Sequence, residues 1–150
     1  MEIKTFVNPE VQSNSYVITV NDDTYVVDPG GNDMTNLIEY LKEKKLNLKA
    51  ILLTHGHFDH IIGIPQMLEY KKVPIYISEG GYEFLFNPEL SLFVWREGKF
   101  ELDKENIQKV EEIIRNCKRM GMTILIITHD TVFAREIADK TLNISEGQLV

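Results

Sequence analysis

Two hydrophobic rhythms alternate along this chain. Apolar and β-branched residues cluster over residues 2–7 and 15–20 and at Tyr25-Val26-Val27, each run bounded by turn formers. Short runs of this kind predict strands. Asn21-Asp22-Asp23 separates the second run from the third, and Asp28-Pro29-Gly30-Gly31 stops the third. Three successive strands with tight connections predict an antiparallel meander. The period then lengthens. Met34, Leu37, Ile38 and Leu41 form one apolar face of a helix, with Asp33 placed to cap it. Ala50-Ile51-Leu52-Leu53 predicts a buried strand. Residues 64–70 suit a helix with Pro65 in its first turn, and residues 73–77 another strand.

Residues 80–100 give no clear period, because Gly80-Gly81 and Asn87-Pro88 punctuate them, although Leu92-Phe93-Val94-Trp95 is apolar enough for a strand. Beyond them, Ile107, Val110, Ile113, Ile114 and Cys117 share a helical face, and Gly121 falls where that helix would end. Thr123-Ile124-Leu125-Ile126-Ile127 reads as a buried strand and residues 131–139 as a helix. Residues 141–144 and 148–150 flank Glu146-Gly147 as a hairpin. The whole predicts an α/β fold: a layered sheet–helix domain in which a meander leads into βα units and βαβ units complete the sheet. A chain of 150 residues can bury a core as a single compact domain.

Composition narrows the partners. Net charge is −7 and there is no basic run, which argues against nucleic acid and anionic membrane surfaces. No apolar stretch reaches the length of a membrane span. Met1-Glu2-Ile3-Lys4-Thr5 lacks the basic and apolar regions of a signal peptide, so cytoplasmic residence is the expectation. The single cysteine, Cys117, can form no internal disulfide and is expected to be a buried core thiol.

Three of the four histidines fall within Thr54-His55-Gly56-His57-Phe58-Asp59-His60, directly after the strand at residues 50–53. In an extended segment, residues two apart point the same way, so His55 and His57 can present imidazoles to one metal ion. Gly56 removes side-chain bulk between them. As the chain turns, Asp59 and His60 can reach a second ion. Imidazole with carboxylate suits zinc, with iron or manganese as alternatives. Two such ions could activate a water and aim it at an electrophile.

On these residues the chain resembles the metallo-β-lactamase superfamily over about its first hundred residues, and most of all its small hydroxyacylglutathione-hydrolase-like members. The matching pieces are Asn14-Ser15-Tyr16, Val27-Asp28-Pro29-Gly30, the Thr54–His60 stretch with Gly63, Ile75-Tyr76-Ile77 and Phe84-Leu85-Phe86-Asn87-Pro88. The resemblance implies that His55 and His57 bind a first metal. It implies that Asp59 and His60 bind a second, with Asp59 also the catalytic contact to the activated water. Asp28 would orient the site from behind the ligands. The family's later ligands, a histidine in a Gly-His-Thr-Pro-Gly type loop, a bridging aspartate and a final histidine, have no matching loops in the sequence. His129 is the remaining histidine, followed by Asp130, and these two are the candidates to complete the ligand set.

From about Leu92 the chain resembles the C-terminal end of an ATP-binding-cassette (ABC) transporter ATPase. Gly121-Met122-Thr123, Ile124-Leu125-Ile126-Ile127-Thr128-His129-Asp130 and Glu146-Gly147-Gln148-Leu149-Val150 carry that likeness. It implies His129 as the switch histidine, Leu102-Asp103 as the D-loop and Glu97 at the catalytic glutamate position, with Arg96 where a magnesium-binding aspartate belongs. No G-x-x-x-x-G-K-[ST] phosphate loop is present in the sequence, so ATP hydrolysis is not expected. The two likenesses suggest a chimera, with residues 1–91 metallo-β-lactamase-like and 92–150 ABC-like within one domain.

The function expected from all this is a zinc-dependent hydrolase of the superfamily, in which metal-activated water attacks a thioester, ester or lactone carbonyl of a small-molecule substrate. The alternative is a chimeric or degenerate scaffold with a vestigial metal site and no turnover. A nucleotide-binding or interaction module ranks third. A truncated sandwich leaves a sheet face or edge that a second copy could cover, so a homodimer is an expected assembly.

Overall fold

The computed structural model describes residues 1–10, 12–93, 100, 102, 104–124, 126, 131–145 and 148–149. Strands β1 (Glu2–Asn8), β2 (Ser13–Val20) and β3 (Asp23–Val27) form the expected antiparallel meander. Asn21 at φ 54° makes the tight reversal between β2 and β3, a conformation that asparagine tolerates better than most residues. Helix α1 (Thr35–Glu43) then returns the chain so that β4 (Asn47–Leu52) lies parallel to β3. Leu37, Ile38 and Leu41 are its buried face, as their spacing predicts. Asp33 works one residue earlier than a simple cap: its Oδ1 accepts from Thr35 N at 2.9 Å, while Gln66 Oε1 accepts from Met34 N at 2.6 Å.

After β4 come a single turn, α2 (Phe58–Ile61), and then α3 (Ile64–Tyr70), with Pro65 in its opening turn. β5 (Ile75–Ile77) and β6 (Ile107–Lys109) extend the sheet in parallel, which gives six strands in the order β1-β2-β3-β4-β5-β6. Between them lie the short α4 (Glu79–Tyr82) and a 3-10 turn at Glu83–Leu85. The core is built from Leu37 and Leu41 of α1, Ile51 of β4, Ile64 and Met67 of α3 and Ile75 of β5, all fully buried. Burying each such side chain contributes on the order of 1.5–3 kcal/mol relative to leaving it in water.

The chain divides into two compact units, Met1–Val110 and Glu111–Val150. In the second, α5 (Val110–Arg119) ends at Gly121, whose φ of +79° and Met122 N–H donation to Cys117 O at 3.1 Å close the helix as expected. Helix α6 spans Thr131–Ile137, and β7 (Ile144–Ser145) pairs antiparallel with β8 (Gln148–Leu149) around the expected hairpin.

Four local expectations need correction. Ile107 belongs to β6 and not to the following helix; its apolar spacing to Val110 is shared by a strand that runs straight into a helix. Leu92 and Phe93 are in turns, not a strand, because Phe93 N–H donates to Pro88 O at 2.8 Å and Ser91 N–H to Asn87 O at 3.0 Å. Of the strand expected at residues 123–127, the described Thr123, Ile124 and Ile126 pair with no strand, and Ile124 and Ile126 are 37% and 40% exposed. Apolar runs favour a strand only where a sheet edge receives them. Cys117 is partly exposed, not a fully buried thiol. The expected features at Val94, Trp95, Arg96, Glu97 and Asp103 lie outside the described residues. No helix among the described residues is long and apolar enough to cross a membrane.

Candidate metal centre

β3 and β4 are adjacent and parallel, so their carboxyl ends open side by side. Crevices at the carboxyl ends of parallel strands are where α/β folds place chemistry. Val27 and Leu52 are register partners, and Asp28 N–H continues the ladder by donating to Leu52 O at 3.0 Å. The segments after the two strands therefore enter the same space: Asp28 directly after β3, and Thr54 to His60 one residue beyond the end of β4.

The imidazoles are gathered there. The ring of His55 lies 4.6 Å from that of His57 and 4.1 Å from that of His60, centre to centre. His57 also stands 5.6 Å from the ring of Phe84. Gly56 proves to be crowded by a different neighbour from the one its flanking histidines suggest: a Cβ there would fall 2.4 Å from Phe84 Cβ. Asp59 joins the group through its Oδ2, 3.4 Å from His60 Nε2.

Asp28 is the anchor. It is buried at 3% exposure and sits at φ 48°, a left-handed conformation that costs on the order of 1 kcal/mol and persists where surrounding bonds enforce it. Its Oδ1 accepts from Thr54 N at 2.8 Å, and its Oδ2 accepts from Thr54 Oγ1 at 2.6 Å. His60 Nδ1 lies 3.0 Å from the same Oδ2. The buried Nδ1 thus faces the carboxylate at hydrogen-bonding distance, although the angle is poor. The closeness of Asp28 is the largest influence raising the His60 pKa; burial opposes it and Asp59 adds to it. The His55 pKa is lowered, first by burial and then by the neighbouring His60 and His57.

A polar network behind the site fixes both aspartates. Asn8, Ser13 and Ser15 are buried. Asn8 Nδ2 has two protons and donates one to Ser13 Oγ at 2.9 Å and one to Ser15 Oγ at 3.0 Å. Ser13 Oγ in turn donates to the backbone carbonyl of Asp59 at 2.7 Å, and Ser15 Oγ to that of Asp28 at 2.7 Å. Ser15 Oγ also accepts from Gly30 N at 3.3 Å. Each hydroxyl thus gives its proton and accepts at least one, which is the condition for burying such groups without penalty.

Asn8, Ser13, Thr54 and Phe84 are site residues to which the sequence pattern alone gives no role. Thr54 and Phe84, like Ser15, lie within the matched stretches, which is the available signal. Asn8 and Ser13 look like turn-flanking polar residues until the chain brings Ser13, with Asn8 bonded to it, against Asp59. His129 and Asp130, expected to complete the ligand set, lie outside the described residues.

The donor set suits a divalent ion: three imidazoles and a carboxylate in one loop. Among the described residues, however, no three His, Cys, Asp or Glu side chains stand as a finished metal site. The donors are gathered but not yet aimed, since both nitrogens of His60 face carboxylates.

The Metallo-beta-lactamase superfamily model matches residues 8–135. The chain belongs to this superfamily. The match crosses residues 92–102, where the two sequence likenesses meet. Among curated relatives of superfamily type, the chain is 36% identical over 81 residues to a probable metallo-hydrolase of Bacillus subtilis, covering 54% of this chain and 38% of that protein. It is 43% identical over 61 residues to a hydroxyacylglutathione hydrolase of Haemophilus influenzae, covering 41% of this chain and 28% of the relative. The chain therefore spans well under half the length of these relatives. Among solved structures, a B3 metallo-beta-lactamase superposes with TM-score 0.60 at 31% identity, over 69% of this chain and 49% of that one. A protein solved in a di-iron-bound form superposes with TM-score 0.61 at 24% identity, over 81% of this chain and 56% of that one, and shows the shared fold. The mixed sheet–helix architecture is thus the metallo-β-lactamase fold.

Proposed function

We propose that the chain carries the metal-binding part of a zinc-dependent hydrolase that cleaves a thioester, ester or lactone carbonyl of a small-molecule substrate. His55 and His57 would hold one ion, and Asp59 and His60 a second, with iron or manganese as alternatives to zinc. His129 and Asp130 are the residues proposed to complete the set. The observation that carries this reading is the gathering of the His57 and His60 rings at 4.6 and 4.1 Å from the ring of His55, at the carboxyl ends of two parallel strands. The likeness to hydroxyacylglutathione hydrolases supports a thioester as the first substrate class to try.

A bound divalent ion would supply Lewis acidity and an activated water. The protein's own part is positional. Asp28 holds Thr54 and stands against His60, so the strand-end loop cannot drift from β3. Ser13 fixes the backbone of Asp59, which leaves the Asp59 carboxylate to swing between His60 and a ligand role. His60 must turn away from Asp59 for its Nε2 to bind an ion.

The test is metal content of the purified chain together with hydrolysis of simple thioesters and lactones, in the wild type and in His57→Ala. The reading expects bound zinc and turnover, both lost in the variant. Turnover without bound metal would refute it. Zinc retained with no rate above that of free zinc would favour the degenerate scaffold.

A further inference from the structure

The Thr54 hydroxyl stands between two members of the site. Its Oγ1 is 2.6 Å from Asp28 Oδ2 and 3.0 Å from His55 Nδ1. A hydroxyl has one proton to give. An ionised carboxylate can only accept, and 2.6 Å is the length of a charge-assisted O–H···O⁻ bond, so the proton goes to Asp28. Thr54 Oγ1 is left with lone pairs, and toward His55 it can only accept. The reverse arrangement would place two bare acceptors, Asp28 Oδ2 and Thr54 Oγ1, at 2.6 Å with no proton between them. The donor to Thr54 must then be His55 Nδ1–H. In a neutral imidazole with its proton on Nδ1, the lone pair is on Nε2.

We propose that Thr54 is a positioning residue that locks His55 in the Nδ1–H tautomer and so makes Nε2 the nitrogen offered to a metal ion. The assignment of a metal to that nitrogen rests on the proposed function; the tautomer itself does not. Asp28 reaches both His55, through Thr54, and His60, through its own Oδ2. One carboxylate thereby orients two of the three imidazoles. Thr54 itself is exposed, so replacing it disturbs little packing.

The experiment uses the metal-free full chain, ¹⁵N-labelled at histidine, at a pH where His55 is neutral. Long-range ¹H–¹⁵N correlation of the ring identifies which nitrogen carries the proton. The wild type is expected to show Nδ1–H at His55. Thr54→Val, which keeps the shape and loses the hydroxyl, is expected to shift His55 toward Nε2–H, and Thr54→Ser to restore the wild-type pattern. Zn²⁺ competition with a chromophoric chelator is the second readout. Thr54→Val should weaken Zn²⁺ binding about 10- to 100-fold, with Thr54→Ser near wild type. Nε2–H in the wild type, or an unchanged tautomer in Thr54→Val, overturns the proposal; if Thr54→Val does not fold, the wild-type spectrum decides it. An Nδ1–H His55 in a wild-type chain that binds no Zn²⁺ supports the Thr54 lock and refutes the metal reading.

Discussion

Gly30→Ala is a direct test of how the metal loop is held. A Cβ on residue 30 would sit 1.6 Å from the Asp59 carbonyl oxygen, 2.5 Å from its carbon and 2.9 Å from Ser13 Oγ. The first two atoms are backbone, so no side-chain rotation relieves the clash. To regain a 3.0 Å contact the Asp59 backbone must retreat by roughly 1.4 Å, and the Ser13–Asp59 hydrogen bond at 2.7 Å breaks or lengthens. Overpacking of this kind costs about 1–3 kcal/mol. Losing the hydrogen bond adds about 1 kcal/mol. The expected destabilisation is therefore about 2–4 kcal/mol, which lowers the urea midpoint by about 1–2 M for an m-value near 2 kcal/mol/M. Urea titration followed by far-UV circular dichroism measures it, and Zn²⁺ competition measures the displaced loop as weakened binding. A midpoint within about 0.2 M of wild type, with unchanged Zn²⁺ affinity, would mean that the turn after β3 does not press on the Asp59 backbone.

Other outcomes follow from the same geometry. Gly80→Ala meets no atom within 4 Å in helix α4 and has no positive φ, so it should be neutral or stabilising by up to about 1 kcal/mol in the same titration. Ser13→Ala leaves the Asp59 carbonyl and one Asn8 proton without their partner and should cost about 1–3 kcal/mol, read as a lower melting temperature. A change below about 0.3 kcal/mol would mean that water replaces the hydroxyl. Ile51→Ala empties a fully buried position in β4 and should cost about 2–5 kcal/mol. Stripping bound metal with a chelator should lower the melting temperature by the linkage stabilisation, about 2.7 kcal/mol at 100 times Kd, and no shift would argue against folding-coupled metal binding.

Much of this molecule is readable from sequence because the informative residues are neighbours in the chain. The meander, α1, α3 and the strand before the histidines follow from periods of two and 3.6 within single elements. The histidine loop is legible for the same reason: His55, His57, Asp59 and His60 sit within six positions. What supports the loop is not local. Ser13 and Asp59 are 46 residues apart, and Asp28 and Thr54 are 26 apart, so pairing them requires the parallel register of β3 and β4. Small polar residues such as Asn8 and Ser13 carry a turn signal in sequence, and only burial shows that they are bonded to one another. Ile107 shows the opposite failure. Its spacing fits a helix, yet pairing with Ile75 draws it into the sheet.

The reach from Ser13 to Asp59 also sets a limit on modularity. The histidine motif looks portable: a seven-residue cassette that could be moved to the end of any parallel strand. Its backbone is moored to the first hairpin, and its anchoring aspartate comes from the strand next door. A working transplant would have to carry everything from Asn8 through His60 as one continuous piece. By the same reasoning, trimming the first strand would reach the metal loop without touching any histidine.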